Sequence, residues 1–285
     1  MRTPSYLQRR DAVSAAALLC ASCGVPTHPS LATDRIPSFL PSRCQEEVAI
    51  NGAYVNQCMM DAERTFQWPS PIGAITIEQG PIGPSNTGET LWNAAVLMAD
   101  HMATTLGQDY FVGKRVLELG CGTALPSIVA SRCGAKQVVA TDIATDVLER
   151  AKRNVARNGK VASASAPSAV ELRKYVWGST TDEQADAMEG TFDVVLASDV
   201  LWVLGSWRPL AAAARQMLAP GGDFLLAETG HDQLPLPAAL AGFRTVAESS
   251  GLIMDDARTT PLPFQVDGYD AQLIVAHKDT RWVRM

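Results

Sequence analysis

The sequence predicts an α/β fold: seven strands in a mostly parallel sheet, an antiparallel closing strand, and helices on both faces. Three observations carry this. Residues 116–126, VLELGCGTALP, read as a buried strand, a glycine turn and the start of a helix. The next apolar run, 137–142, ends on Asp142, as the second strand of a βαβ unit does. Five such βα units can then be followed along the chain, ending in two last strands that close the sheet.

The 285 residues suit one domain with extensions, and the composition supplies ample apolar residues for a core. Residues 1–43 read as a targeting or disordered segment, and the domain is placed at 44–285. Arg9-Arg10 precedes a short Ala/Ser-rich apolar stretch, Ala12 to Cys23, followed by a Pro/Ser-rich tract. That pattern resembles an import or export address, and a disordered tail or a short amphipathic helix stands as the alternative. With the segment set aside the domain is expected in the cytoplasm. If it is a cleaved address, a plastid, a mitochondrion or export is expected instead.

The formal net charge is −6, with residues 1–43 at +3 and the rest at −9. An acidic body argues against nucleic acid as a partner, because that binding rests on Lys and Arg meeting phosphates. No apolar run has membrane-spanning length. Cys20-x-x-Cys23 has metal spacing but no second pair follows, so no metal is assigned. None of the six cysteines demands a disulfide.

Residues 44–110 hold the N-terminal strands and a helix. Ala74–Gln79 alternates as a half-exposed strand, Gly80-Pro81 ends it, and 83–86 is a loop. A helix is expected from about Glu89 to Leu106, with Leu91, Ala94, Ala95, Met98 and Met102 on its core face. Trp92 lies one residue off that face, either packing at the domain edge or lying as a lid over a ligand.

The core follows over 111–285. Gly120 and Gly122 allow the sharp turn, and Pro126 suits a first helical turn. Leu125, Ile128 and Val129 mark the first crossover helix. Residues 144–158 form the second, with Leu148, Ala151 and Val155 inward and Asn158-Gly159 as a left-handed cap. Residues 161–168 are a loop, and 170–176 are the third strand, with Trp177-Gly178 at its end. Phe192–Ala197 is the fourth strand, ending in Ser198-Asp199-Val200-Leu201-Trp202. A helix through Leu210–Leu218 stops at Pro220-Gly221-Gly222, and Phe224–Ala227 is the fifth strand. Glu228 and His231 end it near the site, with a surface loop as the favoured reading of His231. A helix over about 237–250 stops at Gly251, and strands near Leu252–Met254 and Leu273–Ala276 close the sheet.

The chemistry lies in Glu118, the glycine turn and Asp142. A carboxylate ending the second strand is placed to accept hydrogen bonds from ribose hydroxyls, so an adenosine-type ligand is expected. The third glycine of the dinucleotide fingerprint is Leu125 here, which opposes a nicotinamide cofactor. A carboxylate two residues before the first glycine suits a cation, and S-adenosylmethionine carries an amino group and a sulfonium. If strands one and four are neighbours, Asp199 faces the same crevice as Glu118. With Trp202 three residues on it can hold a cationic substrate, the alternative being a helix N-cap.

Together the runs VLELGCGTALPSIVAS, VVATD, YVWGS, FDVVLASDVLW and LAPGGDFLLAE resemble the seven-β-strand S-adenosylmethionine-dependent methyltransferases, which are Rossmann-like. More narrowly they are similar to the family-16 group of non-SET protein lysine methyltransferases. TGETLWNAA at 87–95 and FRTVAESSGL at 243–252 match that group as well. The resemblance covers about residues 66–280. It implies a cofactor site in which Trp92 lies over the ligand, and Glu118, its carboxylate aimed at the turn, is counted among the cofactor-binding residues. Gly120, Cys121 and Gly122 would line the methionine part, Asp142 would hold the ribose, Trp177 the adenine, and Ser198 would contact the cofactor at the end of strand four.

It further implies that Asp199 and Trp202 occupy the places of the family's Asp-x-x-Tyr motif, beside the substrate amine. Trp202 keeps an aromatic face and loses the tyrosine hydroxyl, which leaves the acceptor open. The expected function is N-methylation of a lysine in a protein substrate by a monomeric enzyme, without nucleic acid or membrane as a partner. A small-molecule amine N-methyltransferase and an inactive cofactor-binding interaction module are the alternatives.

Overall fold

In the computed structural model, the described residues are Cys44 and residues 47–50, 53–80, 82, 87–159, 169–179, 188–231, 234–266 and 269–280. The segment 1–43 with its Cys20-x-x-Cys23 pair, and the loops expected at 83–86 and 161–168, lie outside them. Among the described residues no helix is long and apolar enough to cross a membrane.

Two antiparallel hairpins come first. Strand β1 (Glu47–Ile50) pairs with β2 (Ala53–Asn56), and β3 (Glu63–Gln67) with β4 (Ala74–Glu78). The first hairpin turns the chain back on itself, and Cys44 and Cys58 are joined by a disulfide across a Cα separation of 5.2 Å. The sequence alone demanded no such bond, because the hairpin that brings the two together had not been read.

The helix expected from Glu89 is broken into pieces. A 3-10 turn covers Thr87–Glu89, and Trp92 stands at the N-cap of α1 (Asn93–His101). A π-helical turn at Met102–Leu106 leads into α2 (Gly107–Phe111). Thr104 Oγ1 donates to the Asp100 carbonyl, a side-chain bond that competes with the helical ladder where it widens. The extension seats Phe111 in the core.

The main sheet contains β5 (Arg115–Leu119), β6 (Gln137–Asp142), β7 (Val170–Lys174), β8 (Phe192–Ser198) and β9 (Leu218–Glu228), all parallel. Helices α3 (Leu125–Arg132), α4 (Thr145–Asn158), α5 (Trp207–Met217) and α6 (Leu236–Ser249) belong to its crossovers. Strands β10 (Leu252–Met254), β11 (Thr260–Val266) and β12 (Tyr269–Lys278) finish the chain. The order is β10-β12-β9-β8-β5-β6-β7, with β12 antiparallel to β9 and β11 paired to β12. The expected seven strands and closing antiparallel pair are present, and β5 and β8 are neighbours. Strand order reverses between those two, the position at which open parallel sheets bind ligands.

Three departures have local causes. Strand β11 was not read as a strand because Pro261 and Pro263 interrupt it, and an edge strand tolerates proline. Strand β9 starts at Leu218, before Pro220-Gly221-Gly222, with a register shift against β8 between Phe192 and Val194. Gly159 is not a left-handed cap: its φ is −73°. The end of α4 is held by the Asn158 side chain, which exchanges two hydrogen bonds with the Thr76 backbone, at 3.0 and 2.8 Å.

Asn158 belongs to a clamp between α4 and the second hairpin. Buried Asn154 accepts from Glu78 N at 2.8 Å and donates to the carbonyls of Glu78 and Thr123. Arg150 and Arg153 pair with Glu78, and Arg157 with Glu63. The Asn154→Ala variant should lose on the order of 2 kcal/mol, since truncation orphans buried backbone groups. Urea unfolding measures this, and a loss below about 0.5 kcal/mol would show that water replaces the clamp.

Candidate active site

The glycine turn after β5 is built on left-handed backbone. Gly120, Gly122 and Ala124 have φ of 73°, 50° and 66°. A Cβ on Gly120 would lie 3.1 Å from the Trp177 ring and 3.3 Å from Val200, so only glycine fits without displacement. A Cβ on Gly122 would lie 3.0 Å from the Gly88 carbonyl. The turn that precedes Trp92 therefore rests directly on the glycine turn.

The Asp142 carboxylate, at the end of β6, accepts from Gly122 N at 3.2 Å and Ala144 N at 3.1 Å. It thereby ties its own loop to the glycine turn. Burial pushes its pKa up, and these amides oppose the shift. Cys121 is buried between the glycines, its N–H donating to the Thr141 carbonyl at 2.8 Å. Burial raises its thiol well above the ordinary range, so its contribution to the turn is backbone rather than nucleophile.

Glu118 differs from expectation. The sequence reading aimed its carboxylate at a bound cation, but the side chain is fully buried beneath the turn. Its Oε2 accepts from Ser127 N at 3.0 Å and Ser127 Oγ at 2.5 Å, holding the start of α3, while Oε1 has no hydrogen-bond partner among the described residues. Burial pushes its pKa up to about 8.

A second group forms after β8 and β9. Ser198 ends β8 and is buried, as is Asp199. Asp199 has φ of 56°, a left-handed conformation that aspartate tolerates better than most residues. It is not a helix N-cap: a 3-10 turn at Leu204–Ser206 intervenes before α5 at Trp207. His231 Nε2 lies 2.9 Å from Asp199 Oδ1, and the His231 ring meets Trp92 edge-on with centroids 6.4 Å apart. Buried Glu228 Oε1 accepts from Val200 N and Leu201 N, at 2.8 and 3.1 Å. Burial first, and the Asp199 charge second, push Glu228 up to about 8.

His231 is the residue the sequence reading misplaced. It is largely buried against Asp199 and Trp92 rather than on a surface loop. The one available signal was its position three residues after a strand-end carboxylate. Trp92 Nε1 donates to the Thr87 carbonyl at 2.8 Å, which fixes the indole beside this group. Trp202 lies outside it, 52% exposed on the turn after β8.

The residues fit S-adenosylmethionine. The turn is backbone that a Cβ would block, Asp142 offers a carboxylate for ribose hydroxyls, Trp177 lies against Gly120, and Trp92 is tied to the segment that rests on Gly122.

Two buried glutamates with raised pKa values give the stability a defined pH dependence. Between the unfolded value near 4.3 and about 8 the folded chain holds protons the unfolded chain has lost. Their contribution is fully present below the unfolded pKa and is lost as pH rises through that window, by up to about 1.4 kcal/mol per pH unit for each group. Denaturant unfolding of wild type and Glu118→Gln at pH 5 to 8 should show the gap between them changing with pH. A gap independent of pH would show that Glu118 titrates as an ordinary carboxyl.

Comparison with known proteins agrees with this geometry. A lysine methyltransferase family model matches residues 74–232. The protein N-terminal and lysine N-methyltransferase EFM7 of Yarrowia lipolytica is 32% identical over 219 residues, 72% of this chain and 78% of that one. Its namesake from Eremothecium gossypii is 36% identical over 168 residues, 56% of this chain and 62% of that one. The protein-lysine methyltransferase METTL21E of Mus musculus is 36% identical over 115 residues, 40% of this chain and 45% of that one. The chain thus spans most of the first relative and less than two thirds of the other two. With the glycine turn, the strand-end Asp142 and the fold already in place, the chain belongs to the lysine methyltransferase family and is an S-adenosylmethionine-dependent methyltransferase.

Proposed function

We propose that this enzyme methylates the side-chain amine of a lysine in a protein substrate, and that Asp199 holds the amine. The observation that carries this reading is the place of Asp199: buried, in left-handed backbone, at the end of the strand beside the glycine turn. S-adenosylmethionine, when bound, supplies an electrophilic methyl group. Gly120, Cys121 and Gly122 would hold it with Trp92, Asp142, Trp177 and Ser198, while Glu118 supports the turn from beneath.

A lysine amine is mostly protonated near neutral pH and must be neutral to attack. Asp199 draws the ammonium to the crevice and fixes the nitrogen while its proton passes to solvent water. It then offsets the charge that nitrogen carries once methylated. His231 fixes the Asp199 carboxylate from one side. Glu228, carrying its proton at neutral pH, adds little negative charge of its own. Trp202 stands three residues on, where an exposed aromatic surface can lie along the aliphatic lysine stem.

The Asp199→Ala variant should bind S-adenosylmethionine as wild type does and lose roughly 100-fold or more in kcat/KM, as truncating one partner of a buried charge pair does. Calorimetry and transfer of labelled methyl to cell-extract proteins read the two halves. Undiminished labelling would remove Asp199 from the reaction. The Gly120→Ala variant should weaken cofactor binding about 10-fold, since the left-handed backbone strains any Cβ by roughly 1–2 kcal/mol and Trp177 must shift. Unchanged affinity would show that the turn does not touch the ligand.

A further inference from the structure

Asp199, Glu228 and His231 meet at the ends of β8 and β9. One donor atom from each lies within 4.8 Å of the other two. Asp199 Oδ1 and His231 Nε2 are 2.9 Å apart. In a tetrahedral zinc site neighbouring ligand atoms are about 3.3 Å apart, given bonds of about 2.0–2.2 Å. Both carboxylates are buried and His231 is largely so. A dication among these side chains would supply the countercharge that a buried carboxylate needs.

The surroundings are those that orient ligands. The amides of Val200 and Leu201 fix Glu228 through Oε1, and the edge of Trp92 supports the His231 ring. One imidazole and two carboxylates form a donor set for divalent first-row transition ions, with a coordination position left open.

We propose that Asp199, Glu228 and His231 form a binding site for a divalent transition metal, Zn2+ by its donor set, and that the ion competes with the methyl-accepting amine. The ion and the ammonium are both cations seeking the same carboxylate, so occupancy by one excludes the other. The competition rests on the reading of Asp199 as the amine's seat. The metal site does not rest on it.

The test uses the full chain, stripped with a chelator and titrated with Co2+. One equivalent should bind with the weak visible bands of nitrogen and oxygen ligation, and Zn2+ should displace it. The His231→Gln and Glu228→Gln variants should lose this binding, while the Cys20→Ser/Cys23→Ser variant keeps it. X-ray absorption of the zinc-loaded wild type needs no variant and should show one imidazole among oxygen neighbours. Absence of binding, or sulfur neighbours with binding lost in the cysteine variant, would overturn the site.

With the protein substrate, free Zn2+ at its Kd should raise the apparent KM about twofold, by mass action. Calorimetric affinity for S-adenosylmethionine should stay unchanged. Stoichiometric metal binding that leaves KM unaltered would overturn the competition and remove Asp199 as the amine's seat, with the metal site still standing.

Discussion

Four neighbouring strands of the sheet each end on or beside a carboxylate taken out of water, and each is kept in place by groups of the segments that follow the strands. Across the order β9-β8-β5-β6 these are Glu228, Asp199, Glu118 and Asp142. Burying a carboxylate is costly unless donors meet it. Here the donors come from the segments after the strands: Ser127 in the first turn of α3 to Glu118, Gly122 and Ala144 to Asp142, Val200 and Leu201 to Glu228, and His231 beside Asp199. Several of these bonds join one loop to the next. The row of acids is thus the frame on which the crevice is built, and loop positions follow from it.

The N-terminal hairpins extend that frame. Helix α4 grips β4 through Asn154 and Asn158, and arginines along the helix pair with Glu63 and Glu78. The chain leaving this hairpin lays Gly88 against Gly122 and sets Trp92 beside His231. Trp92 therefore links the segment resting on the glycine turn to the Asp199–His231 group.

Much of this was legible in the sequence because it depends on local patterns. A strand, a glycine turn and a helix start are written within VLELGCGTALP, and Asp142 ends the following apolar run. The neighbouring of β5 and β8 entered the sequence analysis only as a condition, and the strand order supplies it. What could not be read depends on distant pairings. The orientation of Glu118 is set by Ser127 nine residues later, and that of His231 by Asp199 thirty-two residues earlier. The disulfide required the first hairpin, and β11 was masked by its prolines. The cap at Gly159 was misread because a tertiary bond from Asn158 replaced the local solution.

The backbone at Asp199 narrows what can stand at that position. Left-handed φ is comfortable for glycine and tolerable for asparagine and aspartate, while other side chains meet the following carbonyl. Among glycine, asparagine and aspartate, the residues that visit this region most routinely, aspartate alone carries charge. Asparagine differs from it by a single group at the carboxyl carbon. A lineage drifting at this site thus has few routes open, and the nearest of them silences the charge while leaving the chain path intact.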